Sequence, residues 1–226
     1  MNMRLRLFDG NETKTKFFTH QDYQSITENN CNEVMQMYQQ SLCQSYYQLW
    51  KNDNNSFSSD ILAHGDNPET AIKNFSEKIA KLTVDEWAEF NLASVIAYEN
   101  NKIAGFALYG KDNETIKKEN VSAWYLYYIG AAPSNFQKGI GTEIMLRMLN
   151  VCQSKSVKNE DKLFEMKLHT RLFNTPAIRL YEKFGFNVLP YDITHGHSDK
   201  YYCYFNQFDP VLEIKPLKRS TYNFGS

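Results

Sequence analysis

The chain has 226 residues, 42% hydrophobic and 15% aromatic, which suits a folded globular protein with a substantial core. Its formal net charge is −1 and no block of five like charges occurs, which removes bulk electrostatics as a route to nucleic acid or a membrane surface. No window approaches the roughly 18 uninterrupted apolar residues of a spanning helix, and the opening "MNMRLRLFDG" lacks an apolar core of signal-peptide length, so the expectation is a cytoplasmic protein.

Residues 1–90 read as a helical segment packed on a core that occupies 91–226, the two forming one domain. Cys31, Val34/Met35, Tyr38, Leu42 and Tyr46 recur at three- and four-residue steps, which lays one apolar stripe along a helix from about Glu28 to Leu49. "KNDNNSFSSD" (Lys51–Asp60) breaks the pattern, because Asn, Asp and Ser side chains compete for backbone hydrogen bonds. Asn67 as cap and Pro68 at the first position start a second helix with Ile72, Phe75, Ile79 and Leu82 on its stripe, ending near Thr83.

From Ala93 the period changes to that of strands. "ASVIAYENNKIAGFALYG" has two apolar runs around Glu99-Asn100-Asn101-Lys102, a β-hairpin with an Asn-containing turn. A polar connection (Lys111–Asn120) leads to the strand "VSAWYLYYIGA", a glycine loop, and a helix from about Gly141 to Cys152. The strand "LFEMKLHT", a helix from about Thr175 to Phe184 and a last strand "KYYCYF" follow. The order β-β-β-α-β-α-β is an α/β (α+β) class with a mixed sheet and helices on its faces. Strand alternation puts Trp124 and Tyr128 on one side of their strand and Tyr125 and Tyr127 on the other. Cys31, Cys43, Cys152 and Cys203 are far apart, with no C-x-x-C pair and no histidine at ligand spacing. Neither a disulfide nor a metal is signalled, and the reading is reduced, mostly buried thiols.

Two motifs carry chemistry. In "FQKGIGTE", Gly139 and Gly141 open a helix, whose first turn presents unpaired N–H groups and the positive end of the helix dipole, a site suited to phosphate. It is not a P-loop, since Lys138 precedes the glycines, and a dinucleotide fingerprint would need a third glycine where Ile144 stands. About 35 residues on, "NTPAIRLYEKFGF" is an amphipathic helix with Ala177, Ile178, Tyr181 and Phe184 on one stripe and Gly185 as its stop.

Together these motifs resemble the GCN5-related N-acetyltransferase (GNAT) family, with its Q/R-x-x-G-x-G/A loop and N-x-x-A-x-x-L-Y-x-x-x-G-F helix. Asn174, Ala177, Leu180, Tyr181, Gly185 and Phe186 match the second pattern at every position. Phe136 departs from the first, where the family has Gln or Arg. The resemblance covers roughly 93–205 and implies a GNAT-like, mostly antiparallel sheet with an acetyl-coenzyme A site. It places the diphosphate on the loop amides of Gln137, Lys138, Gly139, Ile140, Gly141 and Thr142. The pantetheine arm would lie along Ile129, Gly130 and Ala131, with Asn174, Ala177 and Tyr181 toward the thioester. The implied activity is acetyl transfer to a primary amine of a small molecule, protein or peptide, by a monomer or homodimer. The alternative is an inactive acyl-coenzyme A-binding module.

For the chemistry, Tyr181 is the candidate to protonate or hydrogen-bond the departing thiolate. His169 and Glu165, on one face of their strand, are the candidate bases. His195 and His197, before the last strand, are candidate substrate or catalytic contacts.

Overall fold

The computed structural model describes residues 23–24, 26–52, 59–112, 120–188, 201–208, 212 and 214–216, the side chains of 23–24 and 201–205 excepted. His195, His197 and the Cys203 side chain lie outside the described residues, as does 53–58 of the Asn/Ser-rich stretch.

The chain order is β1 (Tyr23–Gln24), α1 (Cys31–Asn52), α2 (Ser59–Leu62), α3 (Pro68–Glu89), β2 (Ala93–Glu99), β3 (Lys102–Lys111) and β4 (Val121–Ala131). It continues with α4 (Ile140–Lys158), β5 (Leu163–Arg171), α5 (Thr175–Lys183), β6 (Asn187–Val188) and β7 (Tyr201–Phe208). Seven strands form one sheet in the order β1-β2-β3-β4-β5-β7-β6. Among the described residues β4 and β5 are the pair that runs parallel, because α4 carries the chain back across the sheet between them. The expected mixed sheet with flanking helices is what forms.

Local signals account for most boundaries. The Asn67 side chain accepts the Thr70 amide at 2.9 Å, and Pro68 begins α3 where a missing N–H costs nothing. Asn100 and Asn101 both take positive φ (52° and 60°), as a tight hairpin turn demands. α3 does not end at Thr83 as the sequence suggests. Its hydroxyl donates to the Ile79 carbonyl at 2.8 Å, so the residue is satisfied within the helix and α3 adds the turns that carry Glu86 and Trp87. α4 likewise runs past Cys152 to Lys158.

The sheet separates two cores. On one face, α4 and α5 bury Ile144, Met145, Met148, Tyr181 and Phe184 against Trp124, Leu126, Phe164, Met166 and Leu168. On the other, α1, α2 and α3 bury Val34, Tyr38, Tyr46, Ile61, Ile72 and Phe75 against Ile96, Phe106 and Leu108. The thiols correct the sequence reading: Cys152 is buried, while Cys31 and Cys43 are half-exposed, since they lie at the margin of α1's stripe.

Candidate functional site

The sheet opens along the line between its parallel strands. β4 and β5 pair from Val121↔Leu163 to Leu126↔Leu168 and no further. β4 continues to Ala131 along β3, and β5 continues to Arg171 along β7, so the two strands splay into a cleft. A β-bulge marks the parting point. Leu108 opposes Tyr128 and Tyr109 opposes Leu126, which leaves Tyr127 as the extra residue of β4.

The bulge overturns the simple alternation expected for this strand. Trp124 remains in the α4 core, but Tyr128 swings to the same side as Tyr127, against the α1/α3 core. Tyr125 joins them, its ring centroid 4.7 Å from that of Tyr127. Beyond the bulge the ladder also fixes where the backbone points. The Ala132 amide donates to the Ala104 carbonyl at 2.8 Å, so alternation turns the polar groups of Gly130 toward β3 and those of Ile129 and Ala131 toward the open cleft. Gly130 is glycine for a local reason: a Cβ there would stand 2.8 Å from Tyr38 Cδ2.

The glycine loop closes one end of this cleft. A short 3-10 turn (Pro133–Asn135) is held to the β2–β3 hairpin by Asn135 Nδ2 donating to Glu99 Oε2 at 2.6 Å. The chain then passes through left-handed Gln137 (φ 61°) and Gly139 (φ 89°) into α4. No side chain caps this helix, and its first-turn amides at Ile140, Gly141 and Thr142 have no carbonyl one turn back to accept them. Nothing lies within 4 Å of a Cβ built on Gly139, so open space faces the loop. A Cβ on Gly141 would meet Leu180 Cδ2 at 3.3 Å, so α5 lies close beside it. These features fit a diphosphate. One expected donor does not: the Lys138 amide already donates to the Asn135 carbonyl at 3.2 Å, which leaves Lys138 only its exposed ammonium. Lys183, which nothing in the sequence singles out from an ordinary basic residue in a helix's last turn, reaches the same place and donates to Thr142 Oγ1 at 3.3 Å.

α5 presents Asn174 at its cap and Ala177 half-buried. Tyr181 is 5% exposed and packs against Phe186 with ring centroids 6.3 Å apart. Across the sheet, Tyr38 lies edge-on to Phe106 (4.9 Å) and Tyr128 (6.1 Å). Burial pushes the Tyr38 phenol well above its ordinary range, and the neighbouring phenols of Tyr46, Tyr128 and Tyr181 add to the shift. Phenols from α1, β4 and α5 thus lie close enough to raise the Tyr38 phenol together. The stripe pattern marks Tyr38 as core and gives no hint of this.

The two candidate bases are placed differently. His169 lies on β5 just beyond its pairing with β4, and its Nδ1 is 2.7 Å from the Tyr125 hydroxyl. Glu165 shares that face but lies four residues back, about 13 Å along the strand. It is opposite Ala123 in the paired section, 2% exposed, and accepts a hydrogen bond from Gln207 Nε2. The structure therefore brings His169 and Tyr181 to the cleft and leaves Glu165 below it. At the tip of β5, Arg171 grips Asp60 of α2 through two hydrogen bonds of 3.1 and 3.0 Å and stacks over Phe75 at 5.0 Å. Among the described residues no group of three or more His, Cys, Asp or Glu is placed to hold a metal, and no helix is long and apolar enough to cross a membrane.

Comparison with known proteins agrees with this layout. The sequence profile described as "Acetyltransferase (GNAT) family" matches residues 44–186. The chain is 28% identical over 128 residues to "Probable N-acetyltransferase san" of Drosophila melanogaster, covering 57% of this chain and 61% of that protein. It is 29% identical to "N-alpha-acetyltransferase" of Saccharolobus solfataricus, covering 59% and 75% respectively. The match spans less than two thirds of the Drosophila relative's length. Among solved structures, the PaiA N-acetyltransferase of Thermoplasma acidophilum in complex with coenzyme A shares the fold at TM-score 0.52 and 16% identity. That likeness covers 82% of this chain and 99% of that one.

Proposed function

The chain belongs to the acetyltransferase (GNAT) family, and on that premise we propose that it transfers an acetyl group from acetyl-coenzyme A directly to a primary amine, with a polypeptide α-amino group as the first candidate acceptor. The observation that carries this reading is the splay of β4 from β5, with a glycine-opened helix start at one end and the Tyr125–His169 pair on the opposite face.

When bound, acetyl-coenzyme A supplies an acetyl group activated as a thioester. The amides of Ile140, Gly141 and Thr142 would hold its diphosphate, helped by the Lys138 and Lys183 ammonium groups. The cleft-facing edges of Ile129 and Ala131 would pair with the pantetheine amides, and a strand N–H there is the natural donor to the acyl oxygen. Asn174 and Ala177 would line the α5 side. Tyr181 would hold a proton at Oη for the sulfur. A phenol near pKa 10 giving its proton to a thiolate whose thiol has pKa near 8.5 runs uphill by about 2 kcal/mol, so its first service would be a hydrogen bond that strengthens as the sulfur gains charge.

At Nε2, His169 is the base. That role requires the tautomer in which Nδ1–H donates to the Tyr125 oxygen. A lysine amine at pKa about 10.4 would need roughly 4.6 kcal/mol of deprotonation at pH 7, whereas an α-amine near 8 needs only about 1.4 kcal/mol. An imidazole suffices for the second more readily than for the first. Two relatives bear names of the N-alpha-acetyltransferase type, which supports the same acceptor class. An inactive acyl-coenzyme A-binding module is the second reading, favoured by Phe136 in place of the family's Gln or Arg. Coenzyme A release against a panel of short peptides and small amines decides. Acetylated product from a free α-amine is expected. Binding of acetyl-coenzyme A with no release to any amine would leave the module reading.

A further inference from the structure

One carboxylate near the cleft has no role in the chemistry above. The last turns of α3 place Glu86 and Phe90 four residues apart, hence on one helix face. Phe90 is 51% exposed, and its ring lies 6.1 Å from that of Tyr127. The Glu86 carboxylate accepts a hydrogen bond from Tyr128, the residue that the β4 bulge turns to this side. Among the described residues no lysine or arginine pairs with Glu86. Glu89, three residues on, repels it.

A half-buried carboxylate with one phenol as partner and no cation is unfavourable in the free protein. Burial accordingly raises its pKa, partly offset by the Tyr128 bond. The surrounding side chains suit a ligand that brings the missing charge, because the faces of Tyr127, Tyr128 and Phe90 are weakly attractive to cations.

We propose that Glu86, framed by Tyr127, Tyr128 and Phe90, is the binding site for the acceptor's primary ammonium group at the mouth of the cleft. This rests on the acetyl-transfer reading. The division of roles is physical. A carboxylate stabilises the charged form of the amine, so Glu86 attracts and orients the acceptor but opposes its deprotonation, which falls to His169 on the other lip. Such an interaction belongs to the ground state and governs binding of the amine rather than turnover at saturation.

The test uses Glu86→Gln, which keeps the shape and the capacity to accept from Tyr128 while removing the charge. Binding is measured by calorimetry on the protein in the presence of coenzyme A. The probes are a short peptide with a free N-terminus, the same peptide N-acetylated, and spermidine. The variant is expected to lose about tenfold or more in affinity for a free-amine probe. Affinity for the blocked peptide and for coenzyme A, and the melting temperature, should stay unchanged. Loss confined to the peptide identifies a polypeptide terminus as the source of the ammonium, and loss confined to spermidine a small amine. Equal affinity of wild type and variant for both free-amine probes, or no binding of either to wild type, overturns the proposal. Charge-dependent binding without acetylation of either probe would instead overturn the acetyl-transfer reading and leave the ammonium site standing.

Discussion

A single substitution separates the packing of Tyr181 from the chemistry proposed for it. Its ring fills the α5 core, and its phenol is one of those that raise the Tyr38 phenol. Tyr181→Phe keeps the ring, so acetyl-coenzyme A affinity should change little while kcat falls about 10²-fold or more. Measuring both at saturating amine checks this, and an unchanged kcat with chemistry rate-limiting would leave Tyr181 a packing residue. Tyr181 could be singled out as a candidate because it belongs to a contiguous pattern, Asn174 to Phe186, that a reader can match letter by letter. The Tyr125–His169 bond joins residues 44 apart, and nothing in either neighbourhood announces it. Glu165 and His169 looked equivalent on alternation alone. What separates them is the residue at which β4 and β5 stop pairing, a property of two strands and not of one.

At the scale of elements, the two glycines of the loop should respond in opposite ways. Gly139→Ala places a Cβ in open space but forces φ of 89° on an L-residue, so it should cost about 1–2 kcal/mol of stability by chemical denaturation. Gly141→Asp has an ordinary backbone and a modest contact with Leu180. It should melt close to wild type yet lose the stabilisation that acetyl-coenzyme A confers, because a carboxylate would stand where phosphate belongs. The Arg171–Asp60 grip makes a third prediction. Arg171 is 7% exposed while the Asp60 side chain is about a third exposed, so Arg171→Met should cost about 2–3 kcal/mol, less than for a fully buried pair. Hydrogen exchange should then show the amides of α2 losing protection before those of β5. Element type was readable from period and caps for the long elements, whereas α2 and the two-residue strands β1 and β6 are too short to show a period. The over-run of α3 and the bulge were not readable either, since one depends on a hydroxyl satisfied within its own helix and the other on a register between strands.

For the whole molecule, the sheet acts as a partition, and the split between β4 and β5 is where residues of the two cores meet. Taking residues 1–90 and 91–226 as parts of one domain, we propose a divided labour, with the helical segment toward the acceptor and the glycine loop toward the cofactor. The family profile begins at 44, inside α1, so it already includes the later part of that segment. Acetyl-coenzyme A at about 100 times its dissociation constant should add roughly 2.7 kcal/mol to stability, and a melt unmoved by millimolar ligand would count heavily against the site. The cleft also bears on rates. Its two lips belong to strands joined by the α4 crossover, and they come into register only after β4 and β5 have paired across that intervening chain. A ligand that spans both lips recognises a geometry completed late in folding, so it has little purchase on the transition state. In stopped-flow experiments acetyl-coenzyme A should therefore slow unfolding and leave the refolding rate almost unchanged. Saturation with ligand would then set how long a folded molecule survives, with little influence on how quickly a new chain reaches that state.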